Sequence, residues 1–274
     1  MAILHFEQRE QLQQPVLVMC LDGWVNAGSA ATLVANTLGG EVLISADPDL
    51  LFDYRVTRPT LDFIEGAMTR LEWPRLEIRR TSIDGRDLLV LSGTEPNWNW
   101  KRLGQELAAA AVEVGVLESV SLGAIPWAAP HTRPVQIMST ASDPAHLPAS
   151  ADLPAGLLRV PAAAVSALEY RVASAGIPTV GFWARVPQYV GVEYPAAASA
   201  LLRRLGEHLE VAIPTEELDR AAVEQRTQLD SVSRSRPEVQ SMVEQLEAVV
   251  DAAGAVSGEE LAAEIERYLR GQTD

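Results

Sequence analysis

The feature that most constrains the fold is a strand, turn and helix unit near the beginning of the chain, which then recurs. The apolar run 15–21 is followed by the polar turn Asp22-Gly-Trp-Val-Asn-Ala-Gly28 and by the helix-like segment 28–38. Later turns follow apolar runs in the same way, and they too carry tryptophan. Units of this kind build open α/β folds, in which parallel strands bring the turns that follow them to one edge of the sheet.

These turns predict an aromatic rim at that edge, because parallel connectivity aligns the ends of the strands that precede them. The tryptophans of the predicted rim are Trp24, Trp98, Trp100, Trp127 and Trp183. Polar and charged residues of the same turns are Asp22, Asn26, Glu95, Lys101, His131 and Arg133. We therefore take the rim as the candidate binding site.

Short runs rich in valine, isoleucine and leucine, bounded by glycine, proline or aspartate, predict the strands of the sheet. They cover 15–21, 41–45, 76–81, 87–92, 118–123, 134–139 and 177–183. Asp84-Gly85 predicts a hairpin turn because this pair tolerates positive φ angles. Helices are predicted over 28–38, 60–70, 101–114, 162–175 and 195–210. The sequence thus predicts an α/β protein with a mixed, mostly parallel sheet.

A domain boundary is predicted near Pro214, where the strand signal stops and the composition becomes acidic. Residues 1–213 would form the α/β core domain and residues 214–274 a helical extension. Helices of the extension are predicted over 215–229, 237–250 and 257–269. The extension contains no histidine, cysteine, lysine or tryptophan, so we expect it to serve packing or partner recognition and not chemistry at the rim.

The charge balance excludes some classes of partner. A formal charge of −15 and a pI near 4.7 argue against binding to nucleic acid or to an anionic membrane, which requires a concentrated positive surface. No apolar run reaches the roughly 20 residues that span a bilayer, and the first residues do not resemble a signal peptide. We expect a cytoplasmic protein whose partner is another protein or a small molecule.

The usual catalytic motifs are missing from the sequence. It contains no phosphate-binding Gly-x-x-x-x-Gly-Lys loop, no Gly-x-Ser-x-Gly turn, no dinucleotide fingerprint and no His-Glu-x-x-His helix. The single cysteine, Cys20, lies in an apolar run and is expected to be a buried, inert thiol. Four scattered histidines do not suggest a zinc site. No metal and no cofactor is predicted.

Several candidate residues have two open interpretations. His131 is either a general base or a donor that braces its loop. Arg55 and Arg58 either hold a carboxylate or phosphate, or pair with Asp47, Asp49, Asp53 or a neighbouring subunit. Lys101, the only lysine, either acts at the rim or lies on a helix surface.

Five ordered segments together resemble the actinobacterial branch of the PAC2, or proteasome assembly chaperone 2, family over about residues 3–250. They are Leu21-Asp-Gly-Trp-Val-Asn-Ala-Gly28, Phe52-Asp-Tyr-Arg-x-x-Arg-Pro59, Gly93-x-Glu-Pro-x-Trp98, Leu122-Gly-Ala-Ile-Pro-x-x-x-Pro-His131-x-Arg-Pro134 and Val186-Pro-x-Tyr189. The resemblance implies a three-layer α/β/α fold like that of nucleoside phosphorylases and related hydrolases. It also implies a homo-oligomer, a trimer being favoured, with an interface partly near residues 53–59. It supplies no catalytic residues.

In eukaryotic and archaeal members of the family, the resemblance further implies chaperoning of proteasome α-subunits. Archaeal members dock through a terminal hydrophobic-Tyr-any motif, whereas Tyr268 here lies upstream of Arg270-Gly-Gln-Thr-Asp274, so insertion of the tail into a proteasome ring is not expected. Two hypotheses follow. The first is a non-enzymatic assembly or interaction protein, with proteasome subunits as possible partners. The second is a protein that binds or converts a nucleoside or a carboxylate at the rim.

Overall fold

A mixed sheet of eight strands forms the centre of the molecule, as seen in a computed structural model that describes residues 2–8, 11–147, 151–153 and 156–252. Its strands are β1 (Leu4–Phe6), β2 (Val16–Asp22), β3 (Glu41–Ala46), β6 (Leu76–Ile83), β7 (Arg86–Thr94), β8 (Glu118–Trp127), β9 (Ile137–Ala141) and β10 (Thr179–Pro187). The strands β4 (Thr60–Ile64) and β5 (Ala67–Glu72) form a separate hairpin.

The order of the strands in the main sheet is β1-β3-β6-β7-β2-β8-β10-β9. The four central strands, β7, β2, β8 and β10, are parallel neighbours, while β6 and β9 flank them in antiparallel orientation. The central strands therefore end on one side, at Asp22, Thr94, Trp127 and Pro187, which we call the carboxyl edge. The predicted mixed, mostly parallel sheet is confirmed.

Helices cover both faces of the sheet. They are α1 (Ala30–Leu38), α2 (Pro48–Leu51), α3 (Trp100–Glu113), α4 (Ala164–Ser174), α5 (Pro195–Leu209), α6 (Glu216–Ser235) and α7 (237–252). Leu107 of α3 and Leu168 of α4 belong to the core on one face, and Val34 of α1 and Leu201 of α5 to the core on the other. The predicted three-layer α/β/α architecture is confirmed.

Strand β2 illustrates why a continuous apolar run becomes a central parallel strand. Leu17 and Met19 face one core, whereas Val18 and Cys20 face the other, so both faces of the strand are buried. Burial raises the pKa of the Cys20 thiol far above its ordinary value. The thiolate is therefore not formed at neutral pH, as expected for an inert cysteine.

Two turns with positive φ angles shape the edge of the molecule. Asp84 and Gly85, with φ of 50° and 77°, connect β6 to β7, which confirms the predicted hairpin. A second turn at Glu65 and Gly66, with φ of 50° and 83°, connects β4 to β5. The predicted helix over 60–70 is therefore wrong. Apolar residues here recur at a spacing that imitates a helix, but Gly66 interrupts the segment and favours a reverse turn.

The C-terminal helices pack against the α/β core. Leu218 of α6 is buried in the same core as α5, and α6 continues to Ser235, beyond the predicted end at 229. Helix α7 then begins at Pro237, where proline suits the first turn. The predicted helix over 257–269 lies outside the described residues, and the division at 213/214 stays a prediction. Within the described ranges, no helix is long and apolar enough to cross a membrane.

The close contact between β6 and β7 at Gly93 gives a stability prediction. Gly93 has a φ of 123°, and a Cβ there would lie 2.1 Å from the carbonyl oxygen of Arg75. Gly115 also has a positive φ, 75°, but a Cβ there meets nothing within 4 Å. We expect Gly93→Ala to lower the free energy of unfolding by at least about 3 kcal/mol and Gly115→Ala by about 1 kcal/mol. Equal losses for the two variants in chemical denaturation would contradict this account.

Candidate functional site

Three of the predicted rim tryptophans lie exposed at the carboxyl edge. Trp24 follows β2, Trp98 follows β7 and Trp127 ends β8, so adjacent parallel strands bring them to one side. Their exposed fractions are 68%, 51% and 40%. Trp100 begins α3 at the same edge, but it is only partly exposed and its Nε1 donates to the Pro96 carbonyl oxygen at 2.5 Å. The edge thus presents large apolar rings to solvent.

Trp183 does not belong to this rim, and its predicted position there is wrong. Strand β10 continues to Pro187, so Trp183 lies within the strand and is 7% exposed. Its ring covers Gly123 and Gly181, and its Nε1 donates to Thr140 Oγ1 at 2.9 Å. The two glycines leave the space that the indole fills, so Trp183 is a core residue.

Asp22 and Asn26 hold the turn between β2 and α1. The Asn26 side-chain amide donates to Asp22 Oδ1 at 2.8 Å and to Thr32 Oγ1 at 2.9 Å. Its carbonyl oxygen accepts the backbone N–H of Ala31 at 2.8 Å, at the beginning of α1. Such a bond satisfies an N–H that the helix leaves unpaired. Asn26 therefore braces the turn, and its side chain has little capacity left for a ligand.

The Glu95 carboxylate connects three segments of the carboxyl edge. Its Oε2 accepts the backbone N–H of Trp24 at 3.0 Å, and its Oε1 accepts the N–H of Ala164 at the start of α4 at 2.6 Å. The backbone N–H of Glu95 donates to the Asp22 carbonyl oxygen at 2.7 Å. After β2 the chain crosses toward one end of the sheet to form β3. After β7 it crosses toward the other end of the sheet to form β8. Open α/β folds usually bind ligands at such a switch point, where Glu95 lies here.

Arg55 and Arg58 do not act as a pair. The Arg55 guanidinium donates to both carboxylate oxygens of Asp53, at 3.0 and 2.8 Å. These hydrogen bonds and the charge of Arg55 lower the pKa of Asp53 to about 2. Arg58 is exposed and lines a cleft of about 430 Å³ beside β2 and β7. Asp22 lines the same cleft. Internal pairing therefore describes Arg55, whereas Arg58 faces an open cleft.

Lys101 lies in the first turn of α3, at the carboxyl edge, and is exposed. No hydrogen bond or ion pair of Lys101 occurs within the part of the chain that the structure describes. The position is compatible with either interpretation of this lysine.

His131 is buried where the loop after β8 meets the C-terminal helices. Its Nδ1 lies 2.7 Å from the Tyr189 hydroxyl, and its Nε2 lies 3.1 Å from Oδ1 of Asp230 on α6. The backbone N–H of His131 also donates to the Tyr189 hydroxyl at 2.7 Å. Both ring nitrogens thus have protein partners, which supports the loop-bracing interpretation over a general base that must reach a substrate.

Arg133 joins the same loop to α7. Its guanidinium donates to both carboxylate oxygens of Asp251, at 2.8 and 2.7 Å, and to Glu247 at 3.1 Å. Arg133 holds the pKa of Asp251 below its ordinary value, through these hydrogen bonds and through its positive charge. The C-terminal helices therefore contact residues of the predicted rim, a connection that the sequence did not indicate.

The candidate residues consequently form separate groups. Asp22 and Arg58 line the cleft beside β7, while His131 and Arg133 line a different cavity, of about 680 Å³, between α5 and α6. Among the described residues, the cavity that Asp22 lines is separate from those that His131 and Arg133 line, and this separation does not favour an enzyme of this design. The same part of the chain contains no group of three or more histidine, cysteine, aspartate or glutamate side chains arranged to hold a metal ion.

Sequence reasoning missed the residues that complete the His131 loop. Tyr189 was visible as the last residue of the segment Val186-Pro-x-Tyr189. Asp230, Glu247 and Asp251 lie about a hundred positions from their partners, among many other acidic residues. Nothing in the local sequence distinguishes these three from their neighbours.

Comparisons with known proteins were consistent with one another. The model of the PAC2 family matches residues 20–233. No protein in the search of curated sequences matches the chain. The Mycobacterium tuberculosis protein of unknown function Rv2714 is similar in structure, with a TM-score of 0.88 and 32% sequence identity over 94% of this chain and 92% of that one.

Two further solved structures are similar. The Mycobacterium tuberculosis proteasome-assembly chaperone homologue Rv2125 has a TM-score of 0.76 and 31% identity, covering 83% of this chain and 99% of its own. A PAC2 family protein from Streptomyces avermitilis has a TM-score of 0.72 and 36% identity, covering 84% of this chain and 99% of its own. The similarity therefore extends over most of each molecule.

The contact between Arg133 and α7 predicts how that helix is held. We expect Arg133→Gln to increase amide hydrogen exchange across 237–252 several-fold, because the carboxylates of Glu247 and Asp251 lose their cation. The protection factors of the same region, which are corrected for the intrinsic pH dependence of exchange, should also fall in the wild type below about pH 4. A carboxylate whose pKa is lowered by folding stabilises the folded form above its unfolded pKa and loses this effect as the pH falls through the lowered value.

The matched control for this experiment is Arg220→Gln, since Arg220 is exposed on α6. It removes the same charge and should leave the exchange of α7 unchanged. Equal acceleration in both variants would show that net charge, and not the Arg133 contact, holds the helix.

Proposed function

The chain belongs to the PAC2 family, and we propose that it is a non-enzymatic protein-interaction factor related to the proteasome assembly chaperones. Family membership supports a chaperone-like role. The observation that carries the proposal is the surface of the hairpin β4–β5, which exposes large apolar side chains. The loops that Glu95 joins and the dispersed candidate residues favour recognition over catalysis.

The hairpin β4–β5 buries almost nothing against the rest of the protomer. Nearly every residue in it is exposed. Its apolar side chains are Leu61, Phe63, Ile64, Met68 and Leu71, with exposed fractions of 40%, 60%, 64%, 73% and 50%. An isolated two-stranded hairpin is marginally stable in water, and exposed apolar clusters mark interaction surfaces. A protein partner would cover these side chains.

The proposed partner of the hairpin is another copy of the chain. The hairpin follows directly on the segment 53–59, where the interface of a homo-oligomer is expected. Closed symmetry is the usual arrangement of soluble oligomers, and a trimer is favoured. In such an assembly the hairpin of one protomer would gain the core contacts that it lacks on its own.

The proposed surface for a second, different protein is the carboxyl edge. Trp24 and Trp98 present exposed rings, and their backbone N–H groups donate to the Glu95 carboxylate and to the Leu51 carbonyl oxygen, which fixes both loops. Tryptophan is enriched among the residues that dominate binding energy at protein interfaces, and a fixed loop loses little conformational entropy on binding. We propose proteasome α-subunits as this partner, because Rv2125, a structure similar to this chain, is described as a proteasome-assembly chaperone homologue.

A second candidate function is the binding of a nucleoside or carboxylate in the cleft that contains Asp22 and Arg58. The favouring observation is that Arg58 is exposed there, beside the carboxyl ends of two central strands. Saturable binding of such a compound to the wild type, lost in Arg58→Ala, would favour this function over the first.

The hairpin predicts the oligomeric state. We expect the wild type to be a homo-oligomer in multi-angle light scattering, and Phe63→Asp combined with Met68→Asp to weaken its association at least about 100-fold. Each of these apolar side chains contributes about 1.5–3 kcal/mol when buried, and 1.4 kcal/mol changes an equilibrium constant tenfold. The melting temperature of the protomer should hardly change, because the hairpin is exposed.

The control is Val192→Asp combined with Val223→Asp, which adds the same charge at two exposed valines far from the hairpin in the sequence. It should assemble as the wild type does. A wild type that is monomeric at micromolar concentration, or a hairpin variant that assembles normally, would refute this interface.

The carboxyl edge predicts which residues bind the second partner. We expect Trp24→Ser combined with Trp98→Ser to weaken binding of purified proteasome α-subunits at least about tenfold in surface plasmon resonance, as for interface hot spots. Tyr170→Ser removes another exposed aromatic ring, on α4, and should have no effect. A wild type that does not bind the α-subunits would reject this partner, and equal losses in both variants would reject this surface.

A further inference from the structure

A cavity beneath α4 is independent of the surfaces described so far. It has a volume of about 570 Å³ and lies between α4, the end of β9 and the start of β10. Its polar lining consists of Ser142, His146, Ser166, Glu169, Tyr170, Ser174 and Thr179. Ala141, Ala173, Ile177 and Pro178 provide its apolar walls. The cavity therefore combines a carboxyl group with room for a short hydrocarbon chain.

The floor of this region contains buried hydroxyl groups without partners. Ser119 and Ser121 of β8 are opposite Thr179 and Gly181 of β10 in the parallel register, so these side chains share one face of the sheet. The hydroxyls of Ser119, Ser121 and Thr179 are buried, and none makes a hydrogen bond within the described residues. Of these three residues only Thr179 lines the cavity. Most buried polar groups in proteins are paired, so its unpaired hydroxyl favours a polar occupant.

Glu169 makes no ion pair with any residue in the described ranges. The Ser121 hydroxyl interacts with its carboxyl group, although not with ordinary hydrogen-bond geometry. Burial raises its pKa to about 7, although the nearby Ser121 hydroxyl acts in the opposite direction. A desolvated carboxylate needs a proton or a cation to compensate its charge.

The cavity offers mostly hydrogen-bond acceptors to a cation. A primary ammonium group carries only donors, and it can give one N–H to a carboxylate while others meet hydroxyl oxygens. Its alkyl chain would contact the alanine and isoleucine walls. We propose that this cavity binds a primary alkylammonium group, with Glu169 as its ion-pair partner and the lining residue Thr179 as a further acceptor.

The test is titration of the full-length protein with n-butylammonium at pH 8, followed by amide NMR and calorimetry. We expect saturable shifts at Ser121, Glu169 and Thr179, with tetramethylammonium, which has no N–H, causing none. Glu169→Gln keeps the size of the side chain and should weaken binding at least about tenfold, as expected for a hydrogen bond to a charged group. Thr179→Val should weaken it less.

The pH dependence gives a second readout. Glu169 is mostly ionised at pH 8 and mostly protonated at pH 6, so binding should weaken about tenfold between them. His146 and Tyr170 are the other titratable side chains that line the cavity. The dependence should therefore persist in His146→Asn and disappear in Glu169→Gln.

Loss of binding must not result from unfolding. A carboxyl group whose pKa is raised by folding destabilises the folded form at pH values above the raised pKa, so Glu169→Gln should melt at a higher temperature than the wild type at pH 8. The variant is thus expected to be folded when its binding is measured.

The source of the ammonium group is distinguished by a second ligand, Nα-acetyl-lysine methylamide. Binding of both ligands would identify the lysine side chain of a polypeptide as an occupant, and binding of n-butylammonium alone would identify a free amine. Absence of saturable shifts at millimolar n-butylammonium, or equal affinity in the wild type and Glu169→Gln, would overturn the proposal.

Discussion

The arrangement of the carboxyl edge depends on the carboxylate of Glu95. The carboxylate accepts N–H groups from the loop after β2 and from the beginning of α4, and the backbone N–H of Glu95 donates to the carbonyl oxygen of Asp22 at the end of β2. In many α/β folds the corresponding crevice receives a ligand. Here the Glu95 carboxylate binds the loop that carries Trp24 to the beginning of α4, beside that crevice. The edge is therefore a preformed surface, which suits recognition of another macromolecule.

The parts of the fold that follow local rules were predictable. Apolar runs became the central strands, and Asp84-Gly85 became a hairpin because its backbone preferences decide its conformation without help from distant residues. The helix predicted for 60–70 was wrong because the apolar spacing of this segment fits both a helix and a twisted hairpin. Gly66 decides between them. The position predicted for Trp183 was wrong because the neighbours of a tryptophan near the end of a strand decide whether it is buried or exposed. Here Gly123 leaves the space in which the ring is buried.

The candidate site was less predictable because its contacts join residues far apart in the chain. Arg133 and His131 are satisfied by carboxylates of α6 and α7, so the C-terminal helices and the loop after β8 form one structure. Sequence patterns show that a helix is acidic, but not which of its carboxylates meets a given arginine. The hydroxyl groups beneath α4 illustrate the same limit, because the register of β8 and β10 places them on one face of the sheet.

The exposed hairpin has a consequence for how such a protein can change over time. Most strands of the sheet contribute side chains to a packed core. A substitution there is compatible with folding only if the core still packs. The hairpin lies outside both cores, so its sequence can vary without loss of the protomer. Natural selection can therefore reshape the contacts of β4–β5 while the α/β/α framework is inherited unchanged.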